Sequence, residues 1–280
     1  MNTNLRPSPI AGLWYEGNPA ALARAVDKYI DNAKLPELDG DMIAVIAPHA
    51  GHRYSGPVAG YAFSALRGRT FDLVAVLSPF HNYHRAPLLT CAHDAYATPL
   101  GPVTIDKAAV DALNSELQSG LDLELTAISN DPEHSLEIEL PFLQRTLTPE
   151  WKLLPVMVRA QDPRVSRGLG NALAKILQGK NALIVASTDL SHFYDQETAN
   201  TLDKTMLQKI ESFNPEGVFD AELNGQGFAC GLGALTAAMW AARELGADKV
   251  QILRHATSGD VTGDYTAVVG YGAAAILKTN

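Results

Sequence analysis

Ile43-Ala44-Val45-Ile46-Ala47-Pro48-His49-Ala50-Gly51-His52 is the stretch that decides the fold. Its first five residues are apolar at every position, not at every second one, which is the pattern of a strand covered on both faces. Similar runs recur at Leu73 to Leu77, Leu153 to Val158, Ala182 to Ala186 and Val250 to Leu253. Pro155 interrupts one of them and predicts an edge position or a bulge there. Helical patterns fill the intervals at 20–33, 57–66, 106–118, 135–147, 163–177, 198–213 and 231–245, the first opened by Asn18 as a cap with Pro19 in the first turn. Tyr265 to Ile276 reads as a closing strand. Strands that alternate with helices predict a layered α/β/α fold around a largely parallel central sheet. No internal repeat, low-complexity tract or Ser/Gly linker interrupts the pattern, so residues 1–280 read as a single domain.

The composition narrows the function classes. The chain has 280 residues, 22 Lys+Arg against 31 Asp+Glu and a net charge of −9, with 46% hydrophobic and 19% charged residues. Such a chain can bury a core, which rules out wholesale disorder. The acidic balance argues against nucleic-acid and anionic-membrane partners, both of which would repel it. Two cysteines, Cys91 and Cys230, are too few for a disulfide framework. No apolar run approaches the roughly 20 residues that span a bilayer, and the N-terminus lacks the charged-then-apolar pattern of a leader. The expectation is a soluble, reduced, cytoplasmic protein.

The residues that follow the strands carry the chemistry, because ligands of open α/β sheets gather at the carboxyl ends of the strands. Of eight histidines, five follow three of the apolar runs: His49 and His52, His81 and His84, and His192. Histidine with carboxylate or thiolate is the vocabulary of a transition-metal site. His49 and His81 are the first candidate ligands. Asp189 and His192 supply a carboxylate and an imidazole three residues apart. Cys230 precedes the helix expected from Gly231, where the helix dipole would favour a thiolate. His52 and His84 read as cleft-lining or supporting groups. The segment Glu133-His134-Ser135-Leu136-Glu137 could hold another acid/base pair, with His134 and Glu137 lining or supporting the cleft, although its composition alone reads as a helix start with Ser135 near the cap. G-x-G-x-x-G, G-x-S-x-G and H-E-x-x-H patterns are absent.

The segments Ile46 to Gly51 with Tyr54 to Pro57, Ser78-Pro79-Phe80-His81, Glu133 to Glu137 with Leu140-Pro141-Phe142, Ser187 to His192, Ala229-Cys230-Gly231, and Ser258-Gly259-Asp260 with Gly263-Asp264 together resemble the Memo family. Its bacterial and archaeal members are called AmmeMemoRadiSam system protein B. The resemblance follows the family's order along nearly the whole chain, with His52, Ala234 and Ser78 standing where the family commonly has Tyr, Pro and Gly. It implies a fold like that of the class III extradiol dioxygenases of the LigB type, non-haem Fe(II) enzymes that bind iron through two His and one Glu. By that resemblance His49 and His81 are the imidazole ligands, and Cys230 stands at the carboxylate position. Asp189 and His192 then line the pocket, His192 in the acid/base role. The implied cofactor is a transition metal, Fe(II) first, with Cu or Zn as alternatives. The implied function is metal-dependent redox chemistry on a small molecule or peptide-like ligand in the cleft. The competing readings are a non-catalytic module that holds a peptide or partner protein in the same cleft, and metal-assisted hydrolysis. The family's usual company implies an AMMECR1-like protein and a radical SAM protein as partners.

Overall fold

The computed structural model describes residues 4–148 and 150–279. Its first half runs β1 (Leu5–Arg6), α1 (Pro19–Asn32), β2 (Asp41–Ala47), α2 (His52–Ser64), β3 (Leu73–Pro79), β4 (Leu88–Cys91), β5 (Ala95–Tyr96), β6 (Val103–Thr104), α3 (Lys107–Leu121) and β7 (Leu125–Ile128). A 3-10 turn (Glu137–Glu139) then leads into α4 (Leu140–Thr146), β8 (Lys152–Val158), α5 (Pro163–Leu177) and β9 (Ala182–Ser187). The chain closes with β10 (His192–Tyr194), α6 (Gln196–Glu211), α7 (Pro215–Leu223), α8 (Leu232–Glu244), β11 (Lys249–Thr257), α9 (Gly259–Thr262) and β12 (Val268–Lys278).

The large sheet has the order β10-β12-β2-β9-β3-β8-β4-β7, with β11 paired to β12. Strands β2, β9, β3 and β8 are mutually parallel, and the antiparallel strands β12 and β4 flank them. The continuous apolar runs have a direct packing consequence. Val45, Ala47, Val74, Val76, Leu183 and Val185 face one core with α1, α2 and α4, whereas Ala44, Ile46, Ala75, Leu77, Ile184 and Ala186 face a second core with α3, α5 and α8. Side chains alternate across a strand, so a strand buried on both faces needs an apolar residue at each position. The layered α/β architecture follows from those runs. No helix among the described residues is long and apolar enough to cross a membrane.

Several elements differ from the sequence-based expectation. Pro155 lies inside the sheet, paired with Val76 of β3. Its carbonyl accepts from Thr90 Oγ1 (2.8 Å), so the edge lacking an N–H faces β4, where the ladder involves only Met157 and Val158 of β8. The helix expected from Pro57 begins at His52, and Pro57 sits within it. Gly51 O accepts from the N–H groups of Tyr54 and Ser55, and Ser55 Oγ donates to Ala50 O (2.7 Å), so the first turn is tied down before the proline is reached. The helix expected over 135–147 is split between the 3-10 turn and α4, which restarts with Pro141 in its first turn. Helix α7 was not expected, although Asn214 caps it by accepting from Gly217 N–H (2.9 Å) and Pro215 opens it. The run at Val250 to Leu253 extends into the nine-residue β11, which is antiparallel to β12.

Candidate metal centre

Three adjacent parallel strands, β2, β9 and β3, deliver the site. Ala47 and Ser187 are register partners at the ends of β2 and β9, and Thr188 N–H donates to Ala47 O (2.9 Å). The pairing places His49, two residues past β2, against Ser187 and Asp189. His49 Nδ1 lies 2.9 Å from Ser187 Oγ, while its Nε2 lies 3.1 Å from Cys230 Sγ. Asp189 Oδ1 accepts from the N–H groups of His49 (2.7 Å) and Ala50 (3.3 Å), and Asp189 N–H donates to Cys230 Sγ (3.2 Å). Burial lowers the His49 pKa well below the ordinary imidazole value, and neighbouring His134 and His81 add to the effect. Burial also raises Asp189 to about 7, although the N–H groups of His49 and Ala50 oppose the shift.

His81, at the end of β3, is held by a residue 52 positions away. Glu133 accepts from His81 N–H (2.6 Å) and lies 2.9 Å from His81 Nδ1. Burial alone would lower His81, but the hydrogen bond and charge of Glu133 outweigh it and the pKa is raised. Burial likewise works against ionisation of Glu133, yet the hydrogen bonds and charge of His81 leave its carboxyl well below the usual range. Glu133 also touches the next imidazole, since His134 Nδ1 is 3.3 Å from Glu133 Oε1. The His134 ring stacks on His81 (4.9 Å between centroids, 13°) and meets Trp14 on another side (4.0 Å). Burial, with a contribution from His81, lowers His134 to about 4 against the pull of Glu133. The ligand atoms of His49, His81 and His134 all lie within 4.8 Å of one another.

The remaining sequence candidates separate. His192 is half-buried, its Nδ1 donates to Leu190 O (2.7 Å), and its ring packs edge-on against Phe193 and Phe228. Cys230 is the residue before the Gly231 cap of α8. The thiolate expected there from the helix dipole is not favoured, because burial and the Asp189 carboxylate push the thiol well up. His52 does not line the cleft. Its ring is buried between Tyr15 (5.3 Å) and Phe142 (4.8 Å), with Nε2 donating to Ile138 O (3.0 Å). His84 stays local, where its Nδ1 accepts from Ala86 N–H (3.0 Å). Glu137 turns to the other side of its segment, to Arg6 Nη1 (2.6 Å), Tyr15 OH (2.6 Å) and Ser8 Oγ.

Sequence reasoning missed Glu133, Ser187, Glu139 and Trp14 as parts of the site. Glu133 stood in the segment that composition reads as a helix start. Ser135 does not cap a helix there, because its Oγ donates to Pro79 O (2.8 Å) and so fastens the segment to the end of β3.

Known proteins match the chain along nearly its whole length. The family model described as Memo-like protein matches residues 6–275. The chain belongs to the Memo family. A MEMO1 family protein of Nitrosopumilus maritimus is 33% identical over 273 residues, covering 96% of this chain and 98% of that one. MEMO1 family proteins of Methanothermobacter thermautotrophicus (35% over 279 residues; 95% and 98% covered) and Thermotoga maritima (33% over 278 residues; 95% and 97% covered) are similarly full-length matches. Among solved structures, the uncharacterized protein JW3007 from Escherichia coli K12 aligns over 83% of this chain and 99% of that chain, with a TM-score of 0.47 and 12% identity. In this Memo-family chain, three imidazoles, a thiol and a carboxylate thus meet at one end of the parallel sheet, a donor set that suits a transition-metal ion.

Proposed function

We propose that this chain holds a transition-metal ion, Fe(II) first and Cu or Zn as alternatives, on His49, His81 and His134, with Cys230 as a further donor beside His49, and that the centre is redox-active. The observation that carries the reading is the convergence of the three imidazole ligand atoms within 4.8 Å, with Cys230 Sγ 3.1 Å from His49 Nε2. The residues fit an ion chemically. Burial keeps His49 and His134 neutral, the form that ligates, and Glu133 orients His81 and His134 as carboxylates commonly do for metal-bound imidazoles. When bound, a redox-active ion would supply one-electron chemistry to a ligand or to O₂ in the cleft. The chain's own groups supply the proton handling. Asp189, raised to about 7, holds or releases a proton near neutrality, and His192 presents Nε2 as acid/base.

The test is metal analysis of protein purified without oxygen, alongside H81A, H134A and C230A. The expected result is near-stoichiometric iron or copper in the wild type and loss of tight binding in H81A and C230A, with the circular dichroism unchanged. Full metal content in both of those variants would refute the site.

A second reading has its own observation. A cleft of about 650 Å³ adjoins the imidazoles at Ala50 and Gly51 and is lined by Trp14, Tyr54, Phe193 and Tyr271, three of which expose their rings although large and apolar. Such a surface suits a peptide or partner segment. On that reading H192A leaves binding untouched, whereas on the first it removes turnover.

A further inference from the structure

Hydrogen counting at Ser187 reaches a residue behind the metal centre. Ser187 Oγ has three close neighbours: Ser135 O at 2.7 Å, Glu139 Oε1 at 2.7 Å and His49 Nδ1 at 2.9 Å. A hydroxyl offers one hydrogen and two lone pairs. The Ser135 carbonyl can only accept, so it takes the Ser187 hydrogen. The other two contacts must then be donations to Ser187. An ionised Glu139 would compete for that single hydrogen and leave two oxygens facing each other at 2.7 Å with nothing between them. We infer that Glu139 is a neutral carboxylic acid that donates to Ser187 and, with Ser135, commits the serine hydroxyl so that His49 is locked as its Nδ1–H tautomer with the Nε2 lone pair facing Cys230 and the metal position.

Two further observations agree. Glu139 is wholly buried, its Oε2 has no hydrogen-bond partner, and among the described residues no Lys, Arg or His forms an ion pair with it. A carboxylate so placed would be an uncompensated buried charge, whereas a carbonyl oxygen without a partner is far less costly. Burial accordingly pushes the Glu139 carboxyl well above its usual range, and Asp189 adds to the effect. Glu139 touches no candidate ligand, so it is a positioning residue: it acts on His49 through Ser187.

The consequence for metal affinity rests on the metal reading above, whereas the protonation state and the tautomer do not. The test therefore begins with metal-free protein. Infrared difference spectra of wild type against E139Q at neutral pH should show the carbonyl band of a protonated carboxylic acid, lost in the variant. Nitrogen-15 spectra of labelled histidine should show His49 protonated on Nδ1 in the wild type and in E139Q, whose amide N–H still donates to Ser187, and a mixed tautomer in S187A. Zn²⁺ titration should then give an affinity in E139Q equal to the wild type and one roughly 10–100-fold weaker in S187A, the usual loss when the support of a metal-bound imidazole is removed. Absence of the acid band, a proton on His49 Nε2 in the wild type, or an E139Q affinity as weak as that of S187A would overturn the inference. A wild type that takes up no ion, yet shows the band and the Nδ1 proton, would sink the metal reading and leave this one standing.

Discussion

Replacing Arg6 by Met should cost about 3–5 kcal/mol, because among the described residues its side chain is the one cation paired with the buried Asp131 and Glu137. Its guanidinium donates through Nε to Asp131 Oδ2 (2.9 Å), through Nη1 to Glu137 Oε2 (2.6 Å), and through Nη2 to Asp131 Oδ1 (2.8 Å), Asp131 O (3.1 Å) and Glu133 O (2.7 Å). Arg6, Asp131 and Glu137 are nearly or wholly buried. Methionine fills much of the volume but leaves the Asp131 and Glu137 carboxylates without their cation, with only neutral donors from Glu133 N–H, Ser8 and Tyr15, and takes a donor from the Asp131 and Glu133 carbonyls. The pair is broken, not replaced, and that is the costly case. A single loss of this size is a large share of the roughly 5–15 kcal/mol that holds a domain folded.

The deficit must also depend on pH, and its sign is determined. Burial already raises the Glu137 carboxyl, with the hydroxyls of Ser8 and Tyr15 and the charge of Arg6 opposing. Without Arg6 the shift grows, and the folded variant takes up a proton that the unfolded chain does not bind near neutrality. The folded state then binds more protons than the unfolded state, so stability falls as pH rises, by up to about 1.4 kcal/mol per pH unit for one proton. Urea unfolding followed by circular dichroism, repeated between about pH 5.5 and 8, measures both effects. A deficit below about 1 kcal/mol, or one that stays level across that window, would refute the reasoning.

His52 is held neutral by burial, with its pKa lowered to about 4 from 6.5. Folding therefore favours the neutral ring, and stability should fall by about 3 kcal/mol as pH drops from 6.5 to 4; H52F should flatten that window in urea titrations and leave metal content unchanged. G231A would place a Cβ 2.5 Å from Ser187 O and 2.9 Å from Thr188 Cβ, so a loss of about 1–3 kcal/mol is expected, and a neutral result would show that the contact between β9 and the start of α8 is not tight. Metal uptake should strengthen as pH rises past 6.5, because Glu133 raises His81 and a ligating imidazole must be neutral. In E133Q the midpoint of Zn²⁺ uptake should move to lower pH; a fixed midpoint would remove Glu133 from control of the site.

The parts of this fold that could be read in the sequence are those governed by local pattern. The runs in β2, β3, β8 and β9 are apolar at successive positions because helices cover both faces, and that burial needs no partner to be recognised. His49 and His81 were legible for a related reason, since a strand end points its next residues at the crevice. Strands β4 and β7 have four residues each, too few for a period to show. Helix α2 begins at His52 and turns that ring away from the cleft, against Tyr15 and Phe142, an outcome set by where the helix starts. Glu133 and His134 precede the 3-10 turn on an irregular segment, and tertiary contacts with Pro79, Arg6 and Ser187 bring them to His81.

The acids around the site have opposite fates, and the reason is the partner each one meets. Glu133 and Glu139 are both buried, but Glu133 faces His81 and stays ionised, whereas Glu139 faces a serine, has no partner at Oε2 and is held as the acid. Asp189 lies between them in character, buried yet supplied with two backbone N–H donors. The surroundings thus keep one firm negative charge beside the imidazoles instead of three. A cluster of three carboxylates would bind a hard cation through charge alone. One carboxylate that orients imidazoles, with a neutral acid behind them and a cysteine that an ion would deprotonate on binding, selects instead by nitrogen and sulfur donation, and this is the physical ground for preferring a transition-metal ion over Mg²⁺ or Ca²⁺ at this site.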